Sequence, residues 1–198
     1  MVLGDSLAYG TGAHRPEDSL GPRLVAALAA DGLEVRLDVV AVPGATSADL
    51  AAQVRRAVAA GPDLALVVIG ANDLARFAPP APAAEALGRA VGDLRTAGAE
   101  VMVVTAPDMS AVPWVPAQAR ALIRLACAQF RQMQAAAVAG AGGVVLPVAA
   151  ELSRLMAADV RLFSGDRFHP SSAGYAVIAE NVAPHVLAAA RYRAARAA

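Results

Sequence analysis

Short apolar runs, separated by stretches of helical length, constrain this chain more than any other feature. Asp63 to Gly70 (DLALVVIG) and Glu100 to Thr105 (EVMVVT) are near-continuous runs of Val, Leu, Ile and Met. A strand with one face in water alternates apolar and polar side chains; a run without that alternation belongs to a strand covered on both faces. Val2 to Gly4, Glu34 to Val42 and Val144 to Val148 read as three further strands. Between the strands lie Glu17 to Ala30, Ser47 to Ala60, Ala83 to Ala97 and Pro116 to Ala139, and a last helical stretch runs from Ser171 to about Arg193. Strand and helix in alternation predict a parallel sheet with helices on both faces. Breakers agree: Gly32, Gly61-Pro62, Gly98 and the stretch from Gly140 to Gly143 stop helices just ahead of strands. Ser47 is expected to cap the helix whose apolar stripe opens at Leu50.

At 198 residues the chain suits one domain. That domain is read over residues 1–190, with 191–198 as a short Arg/Ala-rich tail whose arginines form a solvated helix end. With 57% hydrophobic residues, whole-chain disorder is excluded. Every fixed cation is arginine, and these balance the acids to a formal net charge of +0. No global field therefore draws nucleic acid or an anionic membrane. One cysteine, Cys127, excludes an intrachain disulfide and a thiolate zinc cluster. Three histidines without ligand spacing point to no metal, and no cofactor motif stands out. Gly10-Thr11-Gly12 would need its third dinucleotide-binding glycine at Arg15. No run of about 18 apolar residues is free of charges and breakers, so no stable membrane insertion is expected. The bare start, with no basic segment before the apolar residues, reads as cytoplasmic; export is the alternative should a leader precede Met1.

In such a sheet, function sits beyond the carboxyl ends of the strands. Those ends deliver Gly4-Asp5-Ser6-Leu7, Pro43-Gly44-Ala45-Thr46, Gly70-Ala71-Asn72-Asp73 and Ala106-Pro107-Asp108, and the loop before the last helix carries Asp166-Arg167-Phe168-His169-Pro170. Ser6 is the candidate nucleophile, and a serine hydroxyl needs a base to take its proton. His169 is the candidate base. Asp166, three residues earlier, can hold the imidazole by its other nitrogen and stabilise the imidazolium. Asp159 is the rival carboxylate, and His14 the rival base, although its neighbours Arg15, Pro16, Glu17 and Asp18 read as an exposed loop. A developing oxyanion needs neutral donors. The candidates are the Ser6 N–H, the Gly44 N–H and the Asn72 side-chain amide. Asp73 competes with Asn72 as a helix cap.

These segments resemble, in order, the four sequence blocks of the SGNH hydrolases, the GDSL esterase/lipase family. Gly4-Asp5-Ser6-Leu7 matches the nucleophile block, Gly44 the second-block glycine, Gly70-Ala71-Asn72-Asp73 the GxND block, and Asp166 to Pro170 the DxxH block. The resemblance spans Gly4 to Pro170. It implies a three-layer, flavodoxin-like fold with five parallel strands in the order 2-1-3-4-5, and serine-dependent ester hydrolysis without metal or cofactor. It gives the triad roles to Ser6, Asp166 and His169 and the oxyanion hole to Ser6, Gly44 and Asn72. Family members carry a longer first strand than the Met1-Val2-Leu3 found here. The expected partner is a small or medium acyl ester or thioester, bound by a monomer or small homo-oligomer. Leu7, Asp73, Leu74, Phe77, Met109, Val112, Trp114 and Phe168 are the expected substrate-binding residues, forming one apolar wall. Acyl transfer to a sugar or other alcohol is the runner-up activity, and a non-catalytic binding domain of the same fold is the second alternative.

Overall fold

The computed structural model describes residues 1–197. Four strands form one parallel sheet in chain order: β1 (Val2–Gly4), β2 (Leu64–Val68), β3 (Glu100–Val104) and β4 (Val144–Val145). The register sets Leu3 beside Val67, Val67 beside Val103, and Val103 beside Val145, so one row of side chains crosses the whole sheet. The helices are α1 (Ser6–Tyr9), α2 (Leu20–Ala30), α3 (Leu50–Ala60), α4 (Ala71–Ala75), α5 (Pro80–Thr96), α6 (Ala117–Gly140), α7 (Ala149–Ala158) and α8 (Ser172–Ala197).

Alternate residues of each strand serve different layers. Val2, Leu66, Val68, Met102 and Val104 pack with Leu24 and Leu28 of α2 and with Tyr175, Val182 and Val186 of α8. Leu3, Val67, Val101 and Val103 pack with Leu50 and Val54 of α3 and with Leu87, Val91 and Leu94 of α5. That double covering is why the runs carry no polar face, and each buried Val or Leu contributes about 1.5–3 kcal/mol relative to exposure. Helix α6 packs on α5 and β4 and closes the second layer with Val138.

The fifth expected strand, Glu34 to Val42, keeps its place but not its form. It runs along the outer edge of β1, with the Val2 N–H donating to the Asp38 carbonyl, Val40 N–H to the Val2 carbonyl and Val42 N–H to the Gly4 carbonyl. Only one bridge, Val2 with Val39, qualifies as sheet pairing. The cause is the length of β1, which offers three residues to pair with, and an outer face on which Val35, Val39 and Val42 stay exposed. Helix α7 was not foreseen, although Leu152, Leu155 and Met156 have helical spacing. Ser47 is not the cap of its helix. Thr46 and Asp49 form a capping box instead, and Ser47 gives its N–H and hydroxyl to Asp73. The segment read as a tail continues α8 to Ala197 and is tied down by Arg191 on Asp31 and Arg193 on Asp63. Residue 198 lies outside the described residues.

Two buried glutamines take the place of strand neighbours at the carboxyl edge. Gln53 of α3 accepts from the Gly4 N–H at 2.7 Å and donates to the Gly4 carbonyl at 2.8 Å. Gln134 of α6 accepts from the Ala106 N–H at 2.8 Å and donates to the Ile69 carbonyl at 3.3 Å. Gln53 thus fixes the end of β1, and Gln134 joins the ends of β2 and β3. Gln134→Leu leaves two buried backbone groups without partners, at about 1–3 kcal/mol each. Urea unfolding should show a loss of about 2–6 kcal/mol, and a loss within experimental error would show that the clamp is not needed.

Candidate active site

The nucleophile turn begins at Gly4, whose φ of +134° admits only glycine comfortably, and a Cβ there would sit 1.8 Å from the Val68 carbonyl oxygen. The chain then bends so that Asp5 caps α1, its Oδ1 accepting from the Leu7 N–H at 2.9 Å. Ser6 follows as the first residue of α1, and its Oγ lies 3.0 Å from His169 Nε2. His169 Nδ1 lies 2.6 Å from Asp166 Oδ2. A carboxylate accepts only, so Nδ1 carries the proton and Nε2 is free to accept from the Ser6 hydroxyl. The structure therefore brings together an alcohol, an imidazole and a carboxylate from segments 163 residues apart.

The Asp166 loop is built to hold that carboxylate. Asp166 Oδ1 accepts from the Ser164 hydroxyl at 2.8 Å and from the Phe168 and His169 N–H groups at 2.8 and 2.9 Å. Burial pushes the Asp166 carboxyl up, but bonds from the His169 ring and from these donors outweigh it and hold it well below the usual carboxylate range. Arg167 adopts φ +54° to make the bend. Gly12 lies behind the loop, where a Cβ would meet the Pro170 carbonyl at 2.5 Å and His169 Cβ at 2.9 Å. Ser164 was not singled out from sequence, and Gly12 was weighed only as part of a dinucleotide motif. Ser164, two residues before an aspartate, carried the spacing of a side-chain turn; Gly12 carried no signal. The rivals take no part in this relay: Asp159 pairs with Arg161, and His14 lies on an exposed loop, its backbone N–H donating to Ser172 Oγ.

Among the described residues, the Ser6 and Gly44 N–H groups donate to no protein acceptor. The Asn72 side-chain amide donates one hydrogen to the Ala45 carbonyl at 3.0 Å, which sets it beside the Gly44 turn with a second hydrogen to spare. Arg76 steadies that turn by donating to the Gly44 carbonyl at 2.9 Å. Asp73 is buried, accepts from Ser47 with both oxygens and so braces this turn, at the edge of the groove that Leu74 and Phe77 line.

The expected apolar wall divides in two. Leu7, Met109, Val112 and Phe168 line a pocket of about 110 Å³ that opens at Ser6 and His169. Leu152, Met156, Phe163 and Ile178, none of them anticipated, complete it. Leu74, Phe77 and Trp114 line a separate, open groove against α6, which shares only Met109 and the edge of the 109–115 turn with the first. Phe168 spans the two, stacked on Trp114 with centroids 6.2 Å apart and edge-on to His169 at 5.0 Å.

Fold and site together define a three-layer α/β protein with a Ser–His–Asp constellation at the carboxyl edge of its sheet. Residues 2–177 match the GDSL-like lipase/acylhydrolase family, and the chain belongs to it. It is 38% identical over 184 residues to the GDSL-like esterase Rv1075c of Mycobacterium tuberculosis, covering 91% of this chain and 59% of that protein. The crystal structure of TesA superposes with a TM-score of 0.80 at 22% identity, covering 95% of this chain and 97% of that one. Axe2, an acetylxylan esterase from Geobacillus stearothermophilus, gives 0.71 at 20% identity, covering 91% and 90%.

Asp5 is fully buried and its Oδ2 has no hydrogen-bond partner. Burial, against the opposing Leu7 N–H and assisted by the nearby Asp73, pushes its carboxyl up from 3.8 to about 6. The folded state then holds this proton more tightly than the unfolded state does. Its contribution to stability falls as pH rises from about 4 to about 6 and stays constant above. Asp5→Asn keeps the acceptor for Leu7 and removes the ionisation. The variant should gain on the order of 2–3 kcal/mol over the native chain above pH 6, with the gap closing toward pH 4. Denaturant unfolding at a series of pH values checks this, and a gap independent of pH would contradict it.

Proposed function

We propose that this chain hydrolyses esters of short to medium acyl groups through an acyl-enzyme on Ser6. The observation that carries the reading is the unbroken relay from Ser6 Oγ through His169 to Asp166, placed at the mouth of an apolar pocket. The relatives named esterases support an ester as the bond cleaved.

The steps follow from the geometry. The substrate's acyl chain enters the pocket lined by Leu7, Met109, Leu152, Met156 and Ile178. Ser6 Oγ attacks the carbonyl carbon as His169 Nε2 takes the hydroxyl proton. The Asp166 carboxylate stabilises the resulting imidazolium, and it stays ionised because its donors hold its proton affinity low. The negative oxygen of the tetrahedral intermediate turns to the Ser6 and Gly44 N–H groups and the Asn72 amide; one such donor is worth about 2.7–4 kcal/mol. His169 returns the proton to the departing alkoxide, leaving the acyl group on Ser6. Water then repeats the sequence, and the carboxylic acid leaves. A pocket of about 110 Å³ is smaller than a cavity of about 150 Å³ that accepts benzene, which favours short acyl chains over long ones.

Ser6→Ala should reduce p-nitrophenyl butyrate hydrolysis by about 10³-fold or more with an unchanged melting curve, and should abolish labelling by a fluorophosphonate. Retained turnover would remove Ser6 from the mechanism. Met156→Trp, which fills the pocket, should lower kcat/KM for hexanoate about tenfold or more relative to acetate. An unchanged chain-length profile would place the acyl chain elsewhere.

A further inference from the structure

Arg76 has no place in the relay, yet its side chain reaches the turn that supplies an oxyanion donor. That turn runs from Val42 to Ala45 and is closed by the Ala45 N–H on the Val42 carbonyl at 3.0 Å. From Val42 to Ser47 the backbone N–H groups are spoken for, with one exception. Val42 donates to the Gly4 carbonyl, Ala45 to Val42, Thr46 to Asp49 Oδ2 and Ser47 to Asp73, and Pro43 has no N–H to give. The exception is Gly44. Its N–H is one of the three donors assigned to the oxyanion, and it belongs to a residue at φ +83° with no side chain to anchor it. Among the described residues, a single protein hydrogen bond reaches either central residue of the turn: Arg76 Nη2 on the Gly44 carbonyl, at 2.9 Å.

Helix α4 is shaped to deliver that bond. Asn72 and Arg76 stand one helical turn apart and so share a face. They take consecutive carbonyls, Asn72 that of Ala45 and Arg76 that of Gly44. The guanidinium also lies against the turn itself, since a Cβ at Gly44 would sit 3.4 Å from Arg76 Nη2. The helix stops directly beyond Arg76. The Phe77 N–H donates to the Leu74 carbonyl at 3.2 Å and the Ala78 N–H to the Asp73 carbonyl at 2.8 Å, the pair of bonds that ends a helix on a left-handed residue. Glycine usually takes that place; here Phe77 holds φ +53° with its ring 92% exposed. The strain brings Phe77 no burial. What it fixes is the end of α4, and with it the stem from which Arg76 reaches back. We propose that Arg76 is a positioning residue for ester hydrolysis: by holding the Gly44 carbonyl it keeps the Gly44 N–H beside the Asn72 amide, so that both donors meet the same oxygen. This inference rests on the hydrolase reading.

The test compares the native chain with Arg76→Met, which keeps a long unbranched side chain and removes the donors. The probes are p-nitrophenyl butyrate and an alkyl trifluoromethyl ketone. With the ketone, Ser6 Oγ bonds to the carbonyl carbon, the carbonyl π pair moves onto its oxygen, and the hydroxyl proton passes to His169. The adduct therefore presents the oxyanion of the reaction without a leaving group. Arg76→Met should lower kcat about tenfold or more and weaken ketone binding by a similar factor, with KM for the ester within about twofold. The melting curve should not move, because the Arg76 side chain lies in water. High salt should leave the gap in kcat, since salt screens an exposed charge and does not replace a hydrogen bond. An unchanged kcat, or a lower kcat with ketone binding intact, overturns the proposal. So does a gap that salt abolishes, which would make Arg76 a charge acting at a distance. A lowered melting temperature with kcat and KM both impaired would make it a structural residue and overturns it equally. A native chain that neither hydrolyses the butyrate ester nor binds the ketone sinks the hydrolase reading and this proposal with it; an active native chain that Arg76→Met matches sinks this proposal alone.

Discussion

A strand of three residues has to hold the turn that carries Ser6, and the rest of the site depends on how its backbone is secured. Gly4 lies so close to the Val68 carbonyl that no side chain fits between them. Its N–H and carbonyl are taken by one buried glutamine, Gln53, and the Val42 N–H reaches the same carbonyl from the outer edge. Paired backbone groups at this depth are obligatory, because an orphaned one costs about as much as a lost hydrogen bond. Gln53 therefore supplies what a longer strand would otherwise provide. Gln134 does the same between the ends of β2 and β3, from which Asn72 and the 109–115 turn depart. The glutamines fix the strand ends, and the strand ends fix the site.

Charge in the site is distributed unequally between two aspartates. Asp166 stands at the surface amid four donors and stays ionised; Asp5, the residue before Ser6, is buried with one oxygen unpartnered. The first environment suits a group that must steady a positive imidazole. The second is a standing cost to stability, of the sort that functional sites carry and the surrounding core offsets. The same core, Tyr175 included, ties α8 to the turn after Ser6 through its hydroxyl on the Thr11 carbonyl.

Two apolar spaces meet at Met109, and they differ in kind. One is small and roofed by α7 and α8, suited to an acyl chain. The other is wide and open, with Phe77 and Trp114 exposed along it.

Much of this was legible in the order of residues. Runs such as DLALVVIG can only be strands covered twice, and their alternation with helical stretches gives a parallel sheet. A parallel sheet sends Ser6, Gly44, Asn72 and the Asp166–His169 loop to one edge. Asp166 and His169, three positions apart, can touch because both sit on one tight loop. Other features depend on distant neighbours and left no local trace. The Glu34 to Val42 segment has strand composition, yet it forms a single bridge, because pairing needs a partner long enough to pair with. Nothing local to Asp73 showed that the Ser47 turn, 26 residues away, claims both of its oxygens. The apolar wall predicted as one surface is two, because Phe168 stands across it and α7 closes one half. Sequence by itself determined which chemical groups reach the sheet edge, since strand direction and spacing are local properties. Tertiary structure alone decided which of them are sealed, braced or left open, since burial and hydrogen-bond partnership belong to pairs of segments that the chain brings together only on folding.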